Sequence, residues 1–314
     1  MIPLLRHFLF VTLCLSILSP VYSDDDFTFQ PVKWEWGGEI TGKFSHASFR
    51  NWTADGGDYA YDAGITTSLE PRWADSVWSF NASWDGRYSV MGGKSFKFKK
   101  TEDKLEINLK FGRNVWTSQK KTEAVYLVAF GDLQTQFAPQ FDDIGDPSQR
   151  HYISNFMSPG FITDGISMDY RNNFLGLSIA ATPLASKITM VYDKGVDKSY
   201  YQIDSNHHYT SEAGAYARIT FQNNIGKKTT VSLKTILFKD YTKRSSVDLS
   251  LFGEIDVQVF SFLKIYASLN MINDDDINIR IYEDIDHDGD DDFAGVGKRL
   301  QICSQIGLGI SFSF

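Results

Sequence analysis

The sequence predicts an all-β fold, a closed antiparallel transmembrane β-barrel of about 12 strands with short periplasmic turns and long extracellular loops. Three observations predict it. Apolar and polar residues alternate with a period of two through nearly the whole chain. The connections alternate between short and long. The chain ends in an apolar-alternating segment whose last residue is aromatic.

The opening residues stand apart from this pattern. Arg6 and His7 precede the apolar run "FLFVTLCLSIL", and "SPVYS" supplies small residues for cleavage after Ser23. Residues 1–23 read as a secretory signal peptide, too short to span a bilayer as a helix. Lipid attachment is disfavoured because the bulky Leu13 precedes Cys14. Residues 24–314 form one domain, with no internal repeat and no linker rich in Pro or Gly. Losing the leader takes one Arg and no acid, leaving 30 basic against 39 acidic residues, a net charge of −9. That balance argues against nucleic acid, which needs a basic surface. Cys303 is then the sole cysteine, which excludes an internal disulfide and a cysteine-based zinc site.

The strands follow in order at residues 34–50, 58–70, 76–90, 103–114, 124–137, 160–171, 174–182, 211–222, 229–241, 246–258, 261–273 and 299–313. Leu105, Ile107, Leu109 and Phe111 alternate with Glu106, Asn108 and Lys110. Val247, Leu249, Leu251, Ile255 and Val257 alternate with Asp248, Ser250, Glu254 and Asp256. One face is uniformly apolar and the other carries full charges, which suits lipid outside and a polar lumen inside. The segment "KITMVYD" at 187–193 is assigned to a long loop. Every second connection is short or moderate ("PRWAD", "VWTSQKKTE", "NN", "NNIGKK", "FS"). The others include "APQFDDIGDPSQRHYISNFMS", residues 183–210 and residues 273–298. Trp34, Trp36, Trp78, Trp84, Tyr59, Tyr61 and Tyr88 fall on the apolar register, where membrane-interface girdles place amphipathic rings. Asp164 shares that register with Ile162, Ile166 and Met168 and is expected near the extracellular interface. The final strand, with Leu300, Ile302, Ile306, Leu308, Ile310, Phe312 and Phe314 on one face, has the pattern read by the barrel-assembly machinery.

The stretches "FSHASFRNWTADGG", "EDKLEINLKFG", "LQTQFAPQF", "SNFMSPGFITDGISMDY", "TPLASKITMV", "SEAGAYARITFQ", "NDDDINI" and "GKRLQICSQIGLGISF" together resemble a family of Bacteroidota outer-membrane barrels known as domain of unknown function 3078. They occur in family order over nearly all of the mature chain. The resemblance implies an outer-membrane barrel and supplies no activity. His46 departs from the non-histidine polar residue the family pattern favours.

Few residue patterns suggest chemistry. His46 and Ser48 lie two apart on one strand face, resembling the outward His and Ser of outer-membrane phospholipases. The neighbouring strand has no Asn to orient the imidazole, and Asp62 lies on the opposite register, so a triad lacks its third member. His207 and His208 are adjacent, hence point apart on an extended chain and suit a solvated loop better than a metal. "GGKS" at 92–95 lacks the first Gly of a phosphate loop, since Tyr88 stands there. No catalytic residue is assigned.

The stretch "DIDHDGDDDF" is the strongest ligand signal. Asp284, Asp286, Asp288 and Asp290, with Gly289 for the bend, are expected to hold Ca²⁺ weakly in a surface loop, alongside the alternative of a solvated acidic loop near lipopolysaccharide. It is not an EF-hand: Gly295 stands where the bidentate Glu belongs, and strands flank it. The luminal register carries Glu35, Glu39, Lys43, Asp62, Asp85, Arg87, Glu106, Lys110, Asp132, Arg218, Lys234, Asp248, Glu254, Asp256 and Lys264. These make either a narrow pore or an interior closed by salt bridges. The functional expectation is a passive channel for small solutes, ahead of a structural or partner-docking barrel and of a lipid-modifying enzyme. The expected partners are outer-membrane lipid, lipopolysaccharide and the assembly machinery, with no nucleic acid.

Overall fold

The computed structural model describes residues 32–50, 59–93, 96–141, 152–243, 247–274, 279–283 and 292–314. Twelve of its strands close into one antiparallel barrel. In chain order they are β1 (Val32–Arg50), β2 (Tyr59–Ala74), β3 (Trp78–Gly93), β4 (Phe96–Thr117), β5 (Glu123–Thr135), β8 (Gly160–Asn172), β9 (Leu177–Met190), β10 (Tyr209–Ile225), β11 (Thr229–Asp240), β12 (Asp248–Phe260), β13 (Leu263–Asn273) and β16 (Gln301–Ser313). Two small hairpins, β6 (Gln140–Phe141) with β7 (Tyr152–Ser154) and β14 (Ile279–Glu283) with β15 (Asp292–Gly297), stand in the connections.

Each barrel strand pairs with its sequence neighbour in the wall, and β16 returns to β1 with Phe44 opposite Leu308. Reciprocal backbone bonds between Gly38 and Phe314, both 3.0 Å, extend that seam by one pair. An even strand number lets the first and last strands meet antiparallel, so no ladder edge is left unpaired.

The predicted face assignment holds around the ring. Ile65, Leu109, Leu127, Ile166, Ile265, Leu308 and Ile310 point outward and are exposed on the isolated chain. Trp34, Trp36, Trp78 and Trp116 ring the short-turn end of this apolar surface; Tyr61, Tyr88 and Tyr209 lie toward the other end. Asp164 also points outward, beside Gly131 and Ser186, four residues into β8 from its long-loop end. The segments after β2, β4, β8, β10 and β12 are all tight turns at one end. In the first, the Asp75 carboxylate accepts from the Val77 N–H at 2.7 Å and the Trp78 N–H at 2.6 Å. In another, Gly176 adopts φ +64°, and a Cβ there would collide with the Gln222 carbonyl.

Two boundaries differ from the sequence expectation. Residues 91–102 are not a connection. β3 runs to Gly93 and β4 starts at Phe96, making a 22-residue strand. That is about twice the 9–11 residues that a bilayer-spanning strand needs. The consecutive polar residues Lys99, Lys100, Thr101 and Glu102 break the alternation that marks the other strands. Second, residues 187–190 belong to β9 rather than to a loop. Pro183 lacks the N–H a ladder needs, and the strand passes it by a bulge. Ala185 pairs with Gly165 and Gly214, whereas Ala181 pairs with Met168 and Thr182 with Tyr216, so β9 carries one residue more than either neighbour. Pro183 and Leu184 both face outward, and the inward parity switches from Ala180 and Thr182 to Ala185, Lys187 and Thr189. The bulge therefore turns Lys187 into the lumen.

Candidate functional site

The lumen is the part of the barrel able to meet a solute. All fifteen charged residues expected to face it lie on the inward register, with Glu35 at the rim, where it pairs with Arg72 at 2.5 Å. Their side chains do not simply line the wall. Lys43 on β1 reaches Glu254 on β12 at 2.9 Å, and Lys264 on β13 reaches Glu39 on β1 at 2.7 Å. Arg218 on β10 pairs with Asp132 on β5. Lys234 on β11 pairs with Glu106 on β4, a strand five places away around a ring of twelve. Beside it, the Arg87 guanidinium of β3 lies 4.4 Å from the Phe252 ring of β12, again five places away. These two contacts bridge the lumen almost diametrically. Lys104 adds to the Glu106 node at 2.8 Å.

Sequence reasoning missed a second filling of the interior. Ala124, Tyr126, Val128 and Phe130 of β5 point inward and pack with Ala185, Tyr216 and Phe238 in a buried apolar cluster, Phe130 stacking on Tyr216 at 5.0 Å. The signal was present: in "EAVYLVAFGDL" the residues facing out (Val125, Leu127, Ala129) are as apolar as those facing in, which a strand between lipid and water does not need.

The cross-barrel contacts separate two cavities that share no lining residue. The larger, about 800 Å³, opens at the short-turn end and is lined by Arg72, Asp85, Lys110, Arg218, Lys234 and Phe252 among others. The smaller, about 170 Å³, lies toward the long-loop end between Lys187, Glu212, Tyr201 and Lys243. There, Lys187 pairs with Asp248 at 2.9 Å and Lys243 pairs with Glu212.

The connection between β9 and β10 folds down over this end. Val191, Val196, Tyr201 and Ile203 form its own buried cluster, with a single 3-10 turn at Lys198–Tyr201. Tyr201 Oη donates to the Ile153 carbonyl at 3.0 Å, and Asn155 Nδ2 donates to Asp193 at 2.6 Å. The Asn155 amide and the Gly195 N–H hold the Asp193 carboxyl below its usual range. The segment is thus a packed cap, tied to the 152–158 segment.

The remaining sequence candidates separate as follows. His46 and Ser48 face outward and are exposed. Tyr61 and Ile306 flank His46 in the wall, and Tyr59 and Ser304 flank Ser48. The Tyr61 ring meets the imidazole edge-on at 5.6 Å. Asp62 is buried in the lumen against Thr101. His207 and His208 belong to the cap, His208 stacking on Tyr192 at 5.9 Å. Lys94 and Ser95 of "GGKS" lie outside the described residues, as do Asp284, Asp286, Asp288 and Asp290. Strands do flank the acidic stretch: Glu283 of β14 pairs with Asp292 of β15.

Residues 44–141 match the family model described as "Protein of unknown function (DUF3078)". The match runs from the middle of β1 to β6, a smaller part of the chain than the resemblance in sequence covers. No curated protein is detectably similar in sequence. Among solved structures, the chain is similar to outer membrane phospholipase A from Escherichia coli, at 8% identity over 89% of this chain and 93% of that one, with a TM-score of 0.42. It is similar to the NanC porin at 9% identity over 87% and 98%, TM-score 0.39. An outer membrane channel from Pseudomonas putida F1 matches at 7% identity over 94% and 100%, TM-score 0.38. An enzyme and two pores share this degree of likeness, which says nothing about activity; the closed barrel rests on the strand register above.

Proposed function

We propose that the protein is an outer-membrane barrel closed across its lumen, which presents a vestibule to the periplasm and acts by binding or docking rather than by steady diffusion. The outward apolar surface with tryptophans and tyrosines at its ends supports placement in a bilayer, where a closed barrel is the all-β arrangement that satisfies every backbone group. The short turns then face the periplasm and the packed cap faces outside. The observation that carries the closed reading is the pair of cross-barrel contacts, Lys234 to Glu106 and Arg87 to Phe252.

Conductance across a planar bilayer tests it. The purified protein is expected to give no steady open-channel current. A steady, reproducible single-channel step overturns this reading in favour of a passive conduit for small solutes, the second reading, which the volume of the vestibule favours. An enzyme acting on lipid forms no part of the proposal. Phospholipid hydrolysis abolished by His46→Ala would require one.

A further inference from the structure

We infer that the vestibule at the short-turn end binds a small oxyanion, a carboxylate or phosphate group carried by a solute, between Lys110 and Arg218. Both side chains line the cavity of about 800 Å³. Lys110 projects inward from β4 between the outward Leu109 and Phe111. Among the described residues it has no hydrogen-bond acceptor and no carboxylate within ion-pair distance. Arg218 is only 5% exposed. One of its terminal nitrogens is taken by Asp132, yet its Nε is buried with no acceptor. Unmet donors are costly, and two cations lining one cavity, one of them without a carboxylate partner, are the arrangement an anionic acceptor relieves.

The carboxylates nearby are already engaged, Asp132 with Arg218 itself. Asp169 is held by Arg171 at 2.9 Å and by Ser178 at 2.6 Å. Glu106 is held by Lys234 and Lys104. Asp85 and Glu70 also line the cavity. They set an upper limit on the negative charge a ligand can carry and disfavour polyanions. The vestibule therefore suits a solute with one oxyanion group. The proposed function enters only through the side from which the ligand arrives; binding in detergent solution is read independently of conduction.

Calorimetric titration of the folded barrel at low ionic strength, with inorganic phosphate in one arm and acetate in the other, tests the site. Saturable binding in at least one arm is expected, and the stronger arm tells a tetrahedral from a planar oxyanion. Lys110→Met should weaken that binding at least tenfold, and Lys110→Arg should retain it. Asp85→Asn should leave it unchanged or tighten it. Heat-modifiable electrophoretic mobility establishes that each variant is folded, and the charge-retaining arginine variant keeps the test open if the methionine variant is not. Absence of saturation in both arms, or equal affinity in Lys110→Met, overturns the inference, whatever the conductance.

Discussion

Lys234 and Glu106 lie 128 residues apart in sequence and five strands apart around the wall, yet their side chains meet across the lumen. The pair works as a strut. It converts two wall residues into a barrier and ties β11 to β4, which share no ladder bonds. The Glu106 side chain is 10% exposed and that of Lys234 is 30% exposed, so water screens the pair only in part.

Removing one partner should cost more than removing both. Glu106→Gln leaves Lys234 and Lys104 facing each other without their carboxylate, an expected loss of about 3 kcal/mol, the low end for breaking a buried pair. Glu106→Gln combined with Lys234→Met should recover most of it. Urea unfolding in lipid vesicles measures both. A double-variant loss equal to the sum of the Glu106→Gln and Lys234→Met losses would show that the strut carries no coupling.

Opening the barrier should create current. Glu106→Ala with Arg87→Ala removes both cross-barrel contacts while leaving the strand ladders intact. The double variant is expected to show single-channel steps where the native protein shows none, at the same protein-to-lipid ratio. A silent double variant would assign the seal to the Tyr126, Phe130 and Tyr216 cluster or to the cap instead.

The strands are legible because most turn an apolar face outward and a polar face to the interior, which writes the two faces into alternate residues. Leu249, Leu251 and Ile255 against Asp248, Ser250 and Glu254 set the two faces of β12 by residue type alone. The alternation names the luminal charges but not their partners: nothing local to Glu106 points to Lys234. It also fails where the interior is itself apolar, as at Val128 and Phe130, and where polar residues run together, as at residues 99–102. Pro183 reads as a strand end because it cannot join a ladder. The bulge that accommodates it depends on β8 and β10 and has no mark in the sequence of β9.

Sidedness can be read with two cysteines. Ser205 is exposed in the cap and Lys227 is exposed in the turn between β10 and β11. Ser205→Cys should react with a membrane-impermeant maleimide on intact cells, and Lys227→Cys only after the outer membrane is permeabilised. The native Cys303 is 7% exposed and should stay silent. The reverse order of labelling would invert the barrel in the membrane.

The outward apolar surface makes a separate prediction. Leu308 projects outward between Phe44 and Ile265, midway along β16. Leu308→Arg should destabilise the inserted barrel by about 2–4 kcal/mol, the range for a charge near the bilayer midplane. Thr220→Arg, which points into the roomy vestibule, should cost much less. Unfolding titrations in vesicles compare them. Similar losses would mean that Leu308 does not face hydrocarbon.

The cap should loosen in acid through Asp193. Its carboxylate accepts from Asn155 and from the Gly195 N–H at 2.8 Å, which lowers its pKa from an ordinary 3.8. A carboxyl that titrates lower folded than unfolded contributes stability above the ordinary value and loses it as pH falls through the folded one. The contribution is therefore whole at neutral pH and fades below about pH 4. Asp193 is near the surface, so its worth is under about 1 kcal/mol. That is enough to change local opening of residues 191–208 without unfolding the barrel. Hydrogen-exchange protection, corrected for the intrinsic rate at each pH, should fall in the cap between pH 5 and pH 3 while the strand ladders stay protected. Asp193→Asn should give the low-pH protection at every pH, because its amide cannot supply the charge that both donors stabilise. A cap equally protected at both pH values in the native protein would place its anchoring elsewhere, on Tyr201 and the Ile153 carbonyl.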